Sequence, residues 1–261
     1  MCLIALSYHQ HPQYPLIIAA NRDEHYERPT RAARFWDDKP SILAGKDLQA
    51  GGTWLGITKQ GQWSALTNYR DPSIQRQNPP SRGKLPLNFL QNSQQPENYL
   101  TNIQAYSEQF MGFNLLAGSI SQLGYYSNTK NEIQLLDPGL YALSNGLLDT
   151  PWPKVERAKS QLHKLVTEDK ITEEALFNLL KDEREAPAEQ LSDTGIPKDI
   201  DKKVPPIFIK RDGYGTSCST VILVSSKGEV QFTERRFEPG TQQVADENNY
   251  QFSINKHQYS S

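Results

Sequence analysis

Short apolar runs separated by polar turns dominate both ends of the chain, a pattern typical of antiparallel β-hairpins. Met1–Tyr8 and Pro15–Ala20 are rich in β-forming residues, and the polar segment His9–Tyr14 between them predicts the loop of a first hairpin. Three further pairs of runs predict three more hairpins: Trp54–Thr58 with Gln62–Asn68, Phe113–Gly118 with Leu123–Ser127, and Ser219–Ser225 with Glu229–Glu234.

Between the hairpins the apolar spacing changes to that of amphipathic helices. The predicted helices are Lys84–Asn92, Glu97–Gln109, Pro153–Val166 and Thr172–Leu180, the last with Thr172 as its capping residue. The Pro-rich, charged stretch 182–206 predicts a long surface loop, and the polar residues after about Gln243 predict a loosely held tail.

Antiparallel hairpins at both ends with helices between them indicate an α+β fold of stacked antiparallel sheets covered by helices. The chain has 261 residues, of which 36% are hydrophobic, enough for one well-buried core. No internal repeat or linker divides the sequence, so we predict one domain over residues 1–261.

The composition excludes several classes of function. Net charge is −2 and no Lys/Arg cluster stands out, so we expect no nucleic-acid partner. The longest apolar runs, such as Leu16–Ala20, are strand-sized, which predicts no integral membrane segment. The N-terminus lacks the charged start of a signal peptide, and two cysteines suit a reducing compartment, so we expect a cytoplasmic protein.

Cys2, directly after the initiator Met, is the sharpest local feature. Removal of Met1 would place a free α-amine beside the thiol, and an amine with a pKa of about 7.7–8.0 can act as the base for that thiol. A buried cysteine serving as a small strand residue is the alternative.

Polar residues follow the second strand, in Asn21–Glu24. In a hairpin that begins at Cys2, the end of strand two returns to the first residue. We therefore expect Arg22 to lower the thiol pKa and Asp23 to hold the amine. A solvated strand end with a salt bridge is the alternative.

Asn68 and Asn145 each close an apolar strand, where an amide donor can serve an oxyanion hole. Asn145 precedes Gly146, so a plain turn is the alternative there. Trp54 is a candidate for the core or for a pocket wall. His9, His11 and His25 are candidate metal or haem ligands, or else exposed loop histidines.

Ten ordered motifs carry a resemblance to a known family. They are Met1–Ile4, Ala20–Glu24 with Arg28–Pro29, Leu43–Asp47, Ala50–Gly56, Ala65–Tyr69, Ser81–Gly83, Gly112–Leu116, Leu143–Gly146, Gly213–Thr216 and Phe232–Arg235. Together they resemble the NRDE family, the family of transport and Golgi organisation protein 2. The sequence is more distantly similar to the conjugated-bile-acid hydrolase and penicillin V acylase group.

The resemblance implies a four-layer αββα sandwich of the N-terminal-nucleophile (Ntn) hydrolase type. It implies Cys2, Arg22, Asp23, Asn68 and Asn145 as catalytic residues, since they fall at the positions that carry catalysis in the acylase group. The further positions that we assign to substrate binding are Asn21, Trp54, Tyr69 and Ser217. No metal or required cofactor is implied, although family members are connected with intracellular haem movement and lipid metabolism.

One position departs from the family pattern. Relatives usually carry Arg after the Tyr-Gly-Thr motif, where this chain has Ser217 followed by Cys218. The departure removes a fixed positive charge beside the predicted nucleophile. We expect Ser217 to face the cleft and Cys218 to pack in the core. Three functions stay open: a Cys2-dependent amidohydrolase acting on a small amide-containing ligand, a non-enzymatic carrier of haem or another hydrophobic ligand, and, third, a structural adaptor.

Overall fold

A computed structural model describes residues 2–69, 76–185 and 205–254. The chain divides into two compact units. The first comprises residues 1–27, 138–224 and 231–249, and the second comprises residues 28–137, 225–230 and 250–261. The expectation of a single domain stays a prediction.

The first unit is built on a sheet of seven strands, counted over the described residues. They are β1 (Cys2–Tyr8), β2 (Leu16–His25), β10 (Gly139–Leu143), β11 (Lys210–Arg211), β12 (Tyr214–Val224), β13 (Glu229–Phe237) and β14 (Val244–Ser253), of which β13 and β14 belong to the unit through residues 231–237 and 244–249. The strand order is β10-β1-β2-β12-β13-β14, with β11 pairing β12. β1 pairs antiparallel with both β2 and β10, and β2 pairs antiparallel with β12. The predicted first hairpin is therefore confirmed, and β2 continues through the polar residues to His25.

Two helices cover one face of this sheet, α3 (Pro153–Thr167) and α4 (Glu173–Leu180). Side chains at alternate positions, such as Leu3, Ala5, Ile17 and Ala19, share a buried cluster with both helices. Since alternate residues of a strand point to one face, these odd-numbered positions of β1 and β2 define the helix-covered face. The Thr172 hydroxyl accepts a hydrogen bond from the Ala175 N–H at 3.1 Å, which confirms the predicted cap of α4.

The second unit contains a sheet whose described strands run in sequence order from β3 to β9. They are β3 (Thr30–Trp36), β4 (Lys39–Asp47), β5 (Leu55–Thr58), β6 (Trp63–Asn68), β7 (Phe113–Gly118), β8 (Leu123–Ser127) and β9 (Glu132–Leu135). Helices α1 (Lys84–Gln91) and α2 (Pro96–Gln104) contribute apolar side chains to buried clusters with these strands. A short 3₁₀ turn, Ser107–Gln109, follows α2. The hairpins predicted around β5–β6 and β7–β8 are confirmed.

Gly52, the second of the two glycines that precede Thr53 and Trp54, lies where two backbone segments of the second unit approach each other closely. A Cβ built on Gly52 would lie 2.4 Å from the carbonyl carbon of Gly83, so only glycine permits this approach. The Thr53 N–H donates to the Gly83 carbonyl at 3.0 Å, across the same contact. The contact joins the Gly-Gly-Thr motif to the Ser-Arg-Gly motif that precedes α1, which explains both in structural terms.

The prediction of a loosely held tail after Gln243 is wrong for Val244–Ser253, which form the edge strand β14. Every residue of β14 is exposed or partly exposed, so its polar sequence lacks the apolar alternation that identifies a half-buried strand. The predicted helix Glu97–Gln109 ends at Gln104. Of the predicted loop 182–206, residues 186–204 lie outside the described part. No helix among the described residues is long and apolar enough to cross a membrane.

Candidate active site

The register of the first sheet aligns three residues of the site in one row. Cys2 lies opposite Arg22 across β1 and β2, and Arg22 lies opposite Cys218 across β2 and β12. Residues paired across antiparallel strands project from the same face. The Arg22 side chain therefore lies between two thiols, on the face opposite α3 and α4.

The main chain of Cys2 is held by the segment that follows β10. The Cys2 N–H donates to Oδ1 of Asn145 at 3.2 Å, and the Ser144 hydroxyl donates to the Cys2 carbonyl at 2.8 Å. Asn145 and Ser144 are both buried. The structure thus brings Asn145 to Cys2 as predicted. Ser144 also holds Cys2, although it was not predicted as a site residue. The only feature of the sequence that could have indicated it is its position next to Asn145.

The guanidinium group of Arg22 is fixed by two neighbours. Its Nη1 donates to the Ser217 hydroxyl at 3.2 Å, and its Nη2 lies 3.5 Å from Oε2 of Glu24. The Ser217 hydroxyl in turn donates to the Arg22 carbonyl at 3.1 Å. The Arg22 side chain is 11% exposed, so its charge is held at the site with little freedom.

A β-bulge changes the expected orientation of Ser217 and Cys218. The pairing of β12 with β2 shifts between Thr216 and Cys218, and Ser217 is the extra residue. Cys218 therefore takes the position on the Cys2 face that we expected for Ser217. The bulge also allows the Ser217 hydroxyl to reach Arg22, because simple alternation does not hold across an inserted residue. Cys218 is buried, as predicted.

The thiols of Cys2 and Cys218 lie on the same face of the sheet but too far apart to form a disulfide. Two steps between neighbouring strands separate Cys2 from Cys218, or about 10 Å between their Cα atoms. A disulfide requires less than about 7 Å. Both cysteines are free, and Arg22 separates them.

Asp23 lies on the helix-covered face, one residue beyond Arg22. Its Oδ1 accepts a hydrogen bond from the Thr216 hydroxyl at 2.7 Å, and its carbonyl accepts one from the Tyr214 hydroxyl at 3.2 Å. Burial raises the pKa of Asp23 to about 6, against the opposing charges of the N-terminal amine and Lys154 and the Thr216 hydrogen bond. Lys154 and Thr216 were not predicted from the sequence.

Burial also decides the ionisation of the nucleophile candidate. The pKa of the Cys2 thiol is raised, because burial disfavours the thiolate and the Asp23 charge acts in the same direction. The N-terminal positive charge, the Asp23 backbone N–H and Arg22 lower the pKa, as the sequence suggested for Arg22, but the effect of burial is larger. The thiol therefore needs a base to become a nucleophile near neutral pH.

Asn21 has its side-chain amide engaged within the first unit. Its Nδ2 donates to the carbonyls of Leu180 and Ile207 at 2.9 and 3.0 Å, and its Oδ1 accepts from the Ser219 hydroxyl at 2.6 Å. These contacts join β2 to the end of α4 and to β12. They give Asn21 a structural role, and its part in substrate binding stays a prediction.

Asn68, Trp54 and Tyr69 belong to the second unit. Asn68 ends β6 opposite Phe113, the Trp54 carbonyl accepts from the Leu66 N–H, and the Tyr69 N–H donates to the Gly112 carbonyl. Their predicted catalytic and substrate-binding roles stay predictions.

The histidines have local partners. Both ring nitrogens of His11 are engaged, since Nδ1 accepts from the N–H groups of Gln13 and Tyr14 and Nε2 lies 2.9 Å from Oδ1 of Asp169. Because Nδ1 accepts, Nε2 carries the proton and donates to Asp169. His25 packs edge-on against Tyr214. Within the described ranges, no group of three His, Cys, Asp or Glu side chains is arranged to hold a metal ion.

Comparison with known proteins identifies the family of this chain. Residues 1–239 match the family described as Transport and Golgi organisation 2. The chain belongs to this family. The Transport and Golgi organization protein 2 homolog of Bos taurus is 38% identical over 256 residues, covering 90% of this chain and 92% of the relative. The Mus musculus homolog is 36% identical over 277 residues, covering 97% and 99%.

Two solved structures show the fold. The C2A mutant of conjugated bile acid hydrolase from Clostridium perfringens matches with a TM-score of 0.55 and 12% identity, covering 98% of each chain. Penicillin V acylase from Agrobacterium tumefaciens matches with a TM-score of 0.51 and 11% identity, covering 98% of this chain and 87% of the acylase. Both have the Ntn-hydrolase fold, which confirms the predicted α+β class with antiparallel sheets.

Proposed function

We propose that this protein is an N-terminal-cysteine amidohydrolase that cleaves a non-peptide C–N bond of a small amide-containing ligand. The observation that carries the proposal is the hydrogen bond from the Cys2 main-chain nitrogen to Asn145 Oδ1. Removal of Met1 turns that nitrogen into an α-amine already held next to its own thiol. The two neighbours that share the fold are named as a conjugated bile acid hydrolase and a penicillin V acylase.

The α-amine of Cys2 is the base in the proposed reaction. It takes the thiol proton as the sulfur attacks the carbonyl carbon of the amide, forming a tetrahedral oxyanion. The C–N bond then breaks, the ammonium returns the proton to the leaving amine, and the acyl group remains on sulfur as a thioester. Water, deprotonated by the same amine, attacks the thioester and releases the carboxylic acid together with the free thiol.

The residues around Cys2 support the steps of this reaction. Asn145 and Ser144 hold the backbone of Cys2, so the amine and thiol keep a fixed relation. Arg22, fixed by Ser217 and Glu24, provides a positive charge on the thiol face. The raised pKa of the Cys2 thiol explains why an adjacent base is required.

The test is to trap the acyl-enzyme. Intact-mass measurement first establishes whether Met1 is removed, and the protein is then incubated with a fatty-acyl amide of aminomethylcoumarin. We expect release of the fluorescent amine and a mass increase equal to the acyl group, located on Cys2 by peptide mapping. Cys2→Ala should abolish both signals, and Cys218→Ala is the matched thiol control. Retention of Met1, or amine release that persists in Cys2→Ala, would contradict the proposal.

The alternative function is non-catalytic carriage of haem or another hydrophobic ligand. The Cys2→Ala and Cys218→Ala variants also distinguish the carrier from the amidohydrolase, because a carrier does not need the α-amine of Cys2. Haem binding by wild type without any acyl-enzyme would favour the carrier.

A further inference from the structure

Lys154 is a lysine in an unfavourable position. It lies in the first turn of α3 and is 1% exposed. Lysine is almost never fully buried unless it is paired. A positive charge near a helix N-terminus also opposes the helix dipole. Neither helix stability nor solvation at the surface therefore explains why a lysine occupies position 154. An interaction of its charge with a group in the interior does explain it.

The partner that explains this charge is Asp23. Odd-numbered residues of β2 point to the helix-covered face, as Ile17 and Ala19 do by sharing a cluster with α3, and Asp23 continues this series. Asp23 is 4% exposed. The charge of Lys154 acts on its carboxyl group and favours the ionised form.

Charged and polar groups reach Asp23 from each neighbouring element. They are Cys2 on β1, Arg22 on β2, Thr216 and Tyr214 on β12, and Lys154 on α3. The charge of the N-terminal amine also favours the Asp23 carboxylate, ahead of Lys154 and Arg22. Arg22 projects to the opposite face of the sheet, where it is bound to Ser217 and Glu24. Lys154 is thus the cation that approaches Asp23 from the helix side.

We propose that Lys154 is a positioning residue of the Cys2 site, whose buried ammonium group holds Asp23 as a carboxylate. This inference rests on the proposed function and adds to it that an ionised Asp23 accepts a hydrogen bond from the α-amine of Cys2. The carboxylate orients the amine toward the thiol, and a protonated Asp23 does not do so. Lys154 itself touches neither substrate nor the reacting atoms.

The test follows the titration of Asp23 by carboxyl carbon NMR, with the resonance assigned from its loss in Asp23→Asn. Lys154→Met removes the charge and keeps most of the side-chain length. We expect it to raise the titration midpoint of Asp23 by about one pH unit or more. Lys154→Arg keeps the charge and should keep the midpoint. Lys159→Met is the matched control, because Lys159 lies on the same helix and pairs with Asp149 at 2.7 Å.

A purely structural role for Lys154 predicts a lower Tm in Lys154→Met without a change in the Asp23 midpoint, and that outcome would overturn the inference. If the methionine variant does not fold, Lys154→Gln replaces it in the same titration. The NMR result does not depend on Met1 removal or on hydrolysis. A shifted midpoint in a protein that forms no acyl-enzyme would therefore refute the proposed function alone. Normal acyl-enzyme formation with an unmoved midpoint would refute the role of Lys154 alone.

Discussion

Asp23→Asn is expected to remove a pH-dependent part of the stability of this protein. Burial raises the pKa of Asp23 from 3.8 to about 6, so the native state holds a proton that the unfolded chain has released between these pH values. The resulting stabilisation is fully present below pH 3.8 and is lost as the pH rises through about 6. Each pH unit in this window corresponds to about 1.36 kcal/mol, so the loss amounts to about 3 kcal/mol.

The measurement is urea unfolding followed by tryptophan fluorescence between pH 4 and pH 8. The free energy of unfolding of wild type minus that of Asp23→Asn should fall by about 2.4 kcal/mol over this range, because all other titrating groups are shared. Asp37→Asn is the control for loss of any carboxyl group, since the Asp37 side chain is 75% exposed. A difference between wild type and Asp23→Asn that does not change with pH would refute the assigned pKa of Asp23.

Two further predictions follow from contacts in the first unit. Mild oxidation should leave Cys2 and Cys218 unlinked within one chain, because about 10 Å separates their Cα atoms, and non-reducing peptide mapping would detect any such disulfide. His11→Ala should lower the free energy of unfolding by about 1–3 kcal/mol, since two backbone N–H groups lose their acceptor. It should leave the Soret titration with haem unchanged because both ring nitrogens are already engaged, whereas weaker haem binding would identify His11 as a ligand.

The predicted pairing of the first two strands in a hairpin was enough to place Cys2 and Arg22 together. Cys2 begins β1 and Arg22 lies near the end of β2, so a two-strand hairpin brings them together, as the register shows. Asn145 was predictable as a strand-end amide, although only tertiary pairing of β1 with β10 places it at Cys2. The orientation of Ser217 was not predictable, because a β-bulge leaves no mark in an apolar–polar pattern.

The sequence patterns did not predict the strands that carry several charged residues, and they did not predict that one charged residue is buried. β3 and β4 carry Arg31, Arg34, Lys39 and Lys46, which interrupt the alternation that identifies a strand. Lys154 lies in a helix that sequence periodicity had predicted, and a lysine there is normally assigned to the solvated side. Its burial depends on how α3 packs against β1 and β10, which local sequence does not encode.

The two faces of the first sheet divide the chemistry of the site. Cys2, Arg22 and Cys218 project from one face, whereas Asp23 projects from the face that α3 and α4 cover. The main-chain nitrogen of Cys2 lies in the strand itself, at the boundary between these two environments. A substitution on the helix side can therefore change the environment of the amine without touching a residue beside the sulfur. Because the charge of Asp23 also acts on the Cys2 thiol, such a substitution is expected to change the basicity of the proposed amine and the ionisation of the thiol together.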